Sequence, residues 1–217
     1  MRLKFYHLLL TLLSTLTFTA CSENVFEEEE YSDWANRNTT YFAATLTTAK
    51  TAIAEAKSLY GSQWEEHCDW RVFRTYAQKQ EIAGKATDSI CVRIIERGTG
   101  SGSPLYTDSV RVNYIGRLIP STSYENGFIF DFSGPSMYPE DVFHPDFSQP
   151  TGLLVSNTVE GFGTALQQMH IGDRWEIHIP YELGYGRNST ATLPAFSALI
   201  FEVQLKGYCR AGHSFYE

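Results

Sequence analysis

Asp131 is the residue whose surroundings most need a chemical explanation. It stands in the run Phe128-Ile129-Phe130-Asp131-Phe132, and a carboxylate set among aromatic side chains is costly unless it is hydrogen-bonded or has a function. Metal and phosphate chemistry are not indicated. The six histidines and four cysteines are scattered, His67-Cys68 is a lone pair, and neither Cys-x-x-Cys nor His-x-x-x-His occurs, so no metal site is expected, zinc included. The glycine-rich run over 98–104, GTGSGSP, has no following Gly-Lys-Ser/Thr and no strand-loop-helix context, so it does not read as a nucleotide cradle and no cofactor is expected. What remains is aromatic: 14% of the residues are Phe, Trp or Tyr within an apolar content of 43%, enough for a substantial core.

The stretch from Thr158 to Gly186 carries the densest pattern. Phe162, Leu166 and Met169 fall at i, i+4 and i+7, a short amphipathic helix. Gly172-Asp173 then changes the period to alternation, with Trp175, Ile177 and Ile179 on one face of a strand and Arg174, Glu176 and His178 on the other. Val-x-Gly-aromatic, then Leu-x-x-Met-x-x-Gly-x-Arg, then Ile-Pro and Tyr-Gly follow in order. Two further blocks flank it, VRVNYIGRL at 110–118 with FIFDFS at 128–133, and LPAFSALIFEVQL at 193–205. Together these resemble the FK506-binding-protein (FKBP) family of peptidyl-prolyl cis-trans isomerases, over roughly Asp88 to Lys206.

The resemblance implies an α+β fold, a curved antiparallel β-sheet wrapped around one short helix, here preceded by a small helical N-terminal segment. It also implies a chemistry without nucleophile or covalent intermediate. Rotation about an X-Pro bond is opposed by amide resonance, a barrier of about 20 kcal/mol. An apolar, water-excluding pocket penalises the planar dipolar amide more than the twisted one, and preplaced donors can hold the flanking carbonyl. Carried over position by position, the resemblance makes Tyr114, Phe130, Val159, Phe162 and Phe201 the walls and floor and puts Leu193 on a rim loop. The Val159 N–H and the Tyr185 hydroxyl would hold substrate carbonyls, and Asp131, oriented by the Tyr114 hydroxyl, would sit beside the twisting bond. Proline-containing polypeptides and macrolide-type inhibitors are the implied ligands. A non-catalytic chaperone or peptide-binding module using the same groove is the alternative, and the presence of Tyr114, Asp131 and Tyr185 together favours catalysis. Three departures stand out: Phe162 replaces the Trp of many members, the 133–155 segment is long and has no Arg or Lys, and the 187–192 loop RNSTAT is polar. Phe143 or Phe147 could supply the aromatic that usually closes this side.

The elements that would position these residues are legible as alternating runs at 90–94, 110–114, 128–132 and 199–205. Several strands with one short helix and no strand-helix repetition argue α+β. Upstream, the 34–87 segment reads as helix followed by linker. Phe42, Leu46, Ala49, Ile53, Ala56 and Tyr60 recur at steps of four and three, ended by Gly61. This stripe packs on a neighbouring element or forms a homodimer through 42–60; spacing alone leaves both open. Trp64, Trp70, Val72, Phe73 and Tyr76 form a second apolar group, a short helix or an extended segment. The isomerase domain is expected over 88–210, with 211–217 a tail.

Residues 1–20 read as a signal peptide, with Arg2 and Lys4 before an apolar run from Leu8 to Ala20 that is too short to span a bilayer. Phe18-Thr19-Ala20-Cys21 resembles a bacterial lipobox, which would make Cys21 a lipidated first residue; a plain signal peptide is the alternative. Without residues 1–20, Lys and Arg fall from 17 to 15 against 25 Asp and Glu, a net charge near −10. That excludes nucleic acid and leaves the lipid as the membrane anchor. Residues 21–33, with four consecutive glutamates, read as a solvated acidic tether. The expected location is outside the cytoplasm, lipid-anchored to the cell envelope. On this reading Cys21→Ser releases the protein from membranes and abolishes incorporation of a radiolabelled fatty acid, whereas an unlabelled, soluble wild type would end the lipoprotein claim.

Overall fold

The computed structural model describes residues 30–78, 81–134, 149–190 and 192–215. The leader, Cys21, most of the acidic tether, and Phe143 and Phe147 lie outside the described residues. Two units divide the chain, 1–32 and 33–217, and the second holds the helices and strands that position the site.

Helix α1 spans Trp34–Tyr60, two turns more than the apolar stripe alone predicts. Trp34, Asn38, Phe42, Leu46, Ala49 and Ala56 form its buried face. Asn38 breaks the apolar pattern in sequence yet belongs to that face, because its side-chain amide donates to the Trp34 carbonyl at 2.7 Å and accepts from the Ala198 N–H at 2.8 Å. Gly61 ends the helix at φ 56°, with its N–H closing on the Lys57 carbonyl. A 3₁₀ turn over Gly61–Glu66 follows.

Seven strands, all antiparallel, make one sheet among the described residues: β1 (Trp70–Arg74), β2 (Ser89–Glu96), β3 (Ser109–Arg117), β4 (Ile129–Phe132), β5 (Thr151–Leu154), β6 (Arg174–Ile179) and β7 (Leu199–Cys209). Their order is β1-β2-β6-β7-β3-β4, and β5 pairs with the first half of β3 while β4 pairs with its second half. Part of the long 133–155 segment is thus a strand on the same edge as β4. The boundary expected near residue 88 does not divide this unit. β1 lies upstream of it, pairs with β2 from Trp70↔Arg93 to Arg74↔Ser89, and is the extended alternative for the second apolar group.

Helix α2 (Glu160–Leu166) lies on one face of the curved sheet over Ile90, Val92, Ile177 and Ile179, all fully buried. Met169, just past its end, is equally buried. The opposite face is not left to water. Phe42, Leu46 and Ala49 of α1 pack on Cys91, with Trp70 and Val72 beside them. His178, expected on the solvent side of β6, is therefore 6% exposed. Its Nδ1 meets the Tyr41 hydroxyl at 2.9 Å, its Nε2 meets Glu176 Oε1 at 3.1 Å, and Trp70 stacks on its ring. Arg93 closes the chain of contacts on Glu176 through two hydrogen bonds, at 3.1 and 3.0 Å. Burial pushes the Glu176 carboxyl up, but hydrogen bonds from His178 and Arg93 overcome it and hold the group down at about 2. Cys68, Cys91 and Cys209 are free thiols, and burial pushes the Cys91 thiol up to about 12.

Leu46→Glu, which sets a charge against Cys91 and Val72, should lower unfolding stability by on the order of 3 kcal/mol in urea melts of the single chain. Glu176 has a folded pKa below its unfolded value of 4.5, so its contribution is present above that value and is lost as pH falls toward about 2. Glu176→Gln should flatten the stability-pH curve across that window and leave it parallel to wild type above pH 6.

Candidate active site

A hollow of about 220 Å³ opens between α2 and the strands, lined by Tyr114, Asp131, Leu153, Asn157, Thr158, Val159, Phe162, Tyr185 and Phe201. Three rings make its apolar part. Phe162, from the first turn of α2, meets Phe201 of β7 edge-on at 4.8 Å between centroids, and Tyr114 of β3 lies 6.0 Å from the first and 6.2 Å from the second. Such tilted contacts favour ring edges against ring faces, which keeps the floor rigid. Phe162 carries no N–H, so that ring offers a substrate no donor.

Gly116 makes room for this arrangement. It sits on β3 opposite both Phe201 and Asp131, and a Cβ there would fall 2.6 Å from Phe201 Cε1 and 2.9 Å from Phe130 Cζ. Phe130 itself does not line the hollow. It meets Phe201 edge-on at 5.4 Å and is half-buried.

The polar rim is built on β3 and β4. Ser133 braces Tyr114 by accepting its N–H at 2.8 Å while donating its own N–H to the Tyr114 carbonyl at 2.9 Å. The Tyr114 hydroxyl then donates to Asp131 Oδ2 at 3.0 Å. Asp131 is exposed on its residue average, so the cost inferred from its aromatic neighbours is largely avoided: the strand edge turns the carboxylate toward the mouth of the hollow. Burial, then the charge and hydrogen bond of Asp131, push the Tyr114 hydroxyl well above the ordinary tyrosine range. Burial and the same carboxylate also raise Tyr185. Both phenols therefore stay protonated, and able to donate, at neutral pH.

Val159 is extended, φ −61° and ψ 149°, immediately before α2. Its carbonyl accepts from Gly163 at 3.0 Å, and among the described residues its N–H meets no acceptor. Leu193 does not reach the hollow; it is 4% exposed and belongs to a loop fastened to α1. There the Trp34 Nε1–H donates to Ser197 Oγ at 2.8 Å, and Ser197 Oγ donates to the Pro194 carbonyl at 2.6 Å. Leu153, Asn157 and Thr158 were not foreseen. Leu153 comes from β5, a four-residue strand too short to present an alternation.

Of the nine lining residues, six are those the family pattern assigns. Residues 100–206 match the family model for FKBP-type peptidyl-prolyl cis-trans isomerases. These residues are an FKBP-type domain. Among relatives, the FKBP-type 22 kDa peptidyl-prolyl cis-trans isomerase of Escherichia coli is 35% identical over 128 residues, 58% of this chain and 53% of that protein. The macrophage infectivity potentiator of Trypanosoma cruzi is 32% identical over 136 residues, 62% of this chain and 61% of that protein. The outer membrane protein MIP of Legionella longbeachae is 32% identical over 114 residues, 52% of this chain and 41% of that protein. This chain thus spans about half to three-fifths of the length of the first two relatives. Its β1 and α1 lie upstream of the residues the family model matches.

Proposed function

We propose that this protein is a peptidyl-prolyl cis-trans isomerase that accelerates X-Pro rotation in polypeptides outside the cytoplasm, held at the envelope by a lipid on Cys21. The observation that carries the reading is the Phe162-Phe201-Tyr114 floor with the Tyr114–Asp131 hydrogen bond at its mouth. A proline ring in this hollow leaves its preceding amide at the rim, where the Val159 N–H and the Tyr185 hydroxyl would hold flanking carbonyls. Loss of resonance shrinks the dipole of the amide carbonyl as it twists, so an environment poor in water disfavours the planar states. Asp131 would stand beside the amide nitrogen, whose lone pair localises during rotation. No bond is made or broken, and no cofactor takes part. Relatives named as isomerases support the activity, and one named as an outer membrane protein supports the location.

Asp131→Leu and Tyr185→Phe should each lower kcat/KM for an X-Pro peptide about tenfold, roughly 1.4 kcal/mol of transition-state stabilisation. Both should leave the circular-dichroism melt within a few degrees of wild type, since both side chains are at the surface. Unchanged kcat/KM in both variants would remove the hollow as the site. Peptide binding without any turnover would make the protein a binding module instead.

A further inference from the structure

A second cleft, about 430 Å³, lies along the other flank of α2. It shares Thr158 and Val159 with the aromatic hollow, so the two are separated only by the backbone that enters the helix. One wall is Thr75, Tyr76 and Ala77, directly after β1 and upstream of the residues the family model matches; the other is Tyr106. The Thr75 hydroxyl donates to Glu160 Oε1 at 2.5 Å at the start of α2, and Gln168 beyond its end donates to the Tyr76 hydroxyl. The turn after β1 is thereby pinned alongside the whole helix.

The lining has a specific chemistry. Tyr76 and Tyr106 are 55% and 59% exposed. Apart from tyrosine hydroxyls, Glu160 is the one ionisable group among the lining residues, and it is exposed. Two accessible rings and one carboxylate suit a cation on a hydrocarbon stem: the stem lies along the rings, the rings attract the head group, and the carboxylate pairs with it.

We propose that this cleft binds a lysine or arginine side chain of the same polypeptide whose proline occupies the aromatic hollow, so that the protein prefers X-Pro sites with a basic residue nearby. The proposal rests on the isomerase reading of the hollow. The spacing comes from geometry. The two sites flank the backbone that enters α2; a helix with its side chains is about 10 Å across and an extended chain covers about 3.3 Å per residue, so the basic residue lies two to four positions from the proline.

The test uses the soluble chain and two kinds of peptide. One is a neutral X-Pro tetrapeptide too short to reach the cleft. The others are longer peptides with a single proline and either Lys or Glu three residues from it, on each side in turn. Both kcat/KM and Kd, the latter from anisotropy of a fluorescent label, are measured at low and high salt. A Lys peptide should be preferred over its Glu counterpart by about threefold to tenfold at low salt, with the ratio falling at 0.5 M salt. Glu160→Gln and Tyr106→Ser should each bring that ratio toward one while leaving tetrapeptide turnover unchanged. Equal values for Lys and Glu peptides in the wild type, in either position, overturn the proposal. So does a preference that survives both substitutions. If the tetrapeptide is not turned over, the isomerase reading fails on that arm, and the Kd ratio still decides the cleft.

Discussion

Helix α2 can lie against β6 only because position 161 carries no side chain. A Cβ there would fall 2.3 Å from Ile179 Cγ2 and 3.1 Å from its Cγ1, and nothing in the fully buried Ile179 could give way. That approach sets the depth at which the helix sits in the curved sheet. Phe162, the next residue, then meets Phe201 and Tyr114 at contact distance, and Val159 arrives at the rim. Gly116 does on β3 what Gly161 does on α2, giving Phe201 and Phe130 the space to meet edge-on. An aromatic floor of this kind depends on two absent side chains as much as on the rings.

The upstream part of the chain is bound into the same architecture. β1 extends the sheet and α1 covers part of its outer face, so Cys91 of β2 and His178 of β6 are buried on the face opposite α2. The polar groups on the covered face must then satisfy one another, and they do so as a run from Arg93 through Glu176 and His178 to Tyr41. Near its start α1 also holds the loop over 193–198, through Trp34 on Ser197 and Asn38 on Ala198. That loop leads into β7, which carries Phe201. Packing on the outer face is therefore coupled, through one loop and one strand, to the floor of the hollow.

By itself the sequence determined the elements whose periodicity is strong and whose environment is one-sided. The stripe of α1 from Phe42 to Ala56, the alternations of β2, β3, β6 and β7, and the short helix with Phe162 and Leu166 facing inward were legible, because burial of one face imposes a period that the residues must keep; Tyr60, expected to end the α1 stripe, is instead 44% exposed. The family pattern also brought Tyr114, Asp131, Val159, Phe162, Tyr185 and Phe201 to one hollow. Tertiary structure alone decided the rest. His178 reads as solvent-facing in an alternating strand, and only the placement of α1 over β6 buries it. Asp131 reads as a burdened carboxylate, and only its place at the mouth of the hollow relieves it. β1 and β5 are too short to carry a period and exist because β2 and β3 offer them edges to pair with. Phe130 and Leu193 keep the residue types of a pocket wall but do not line the hollow, since a sequence records what a side chain is made of, whereas the surface it faces is set by how the elements around it pack.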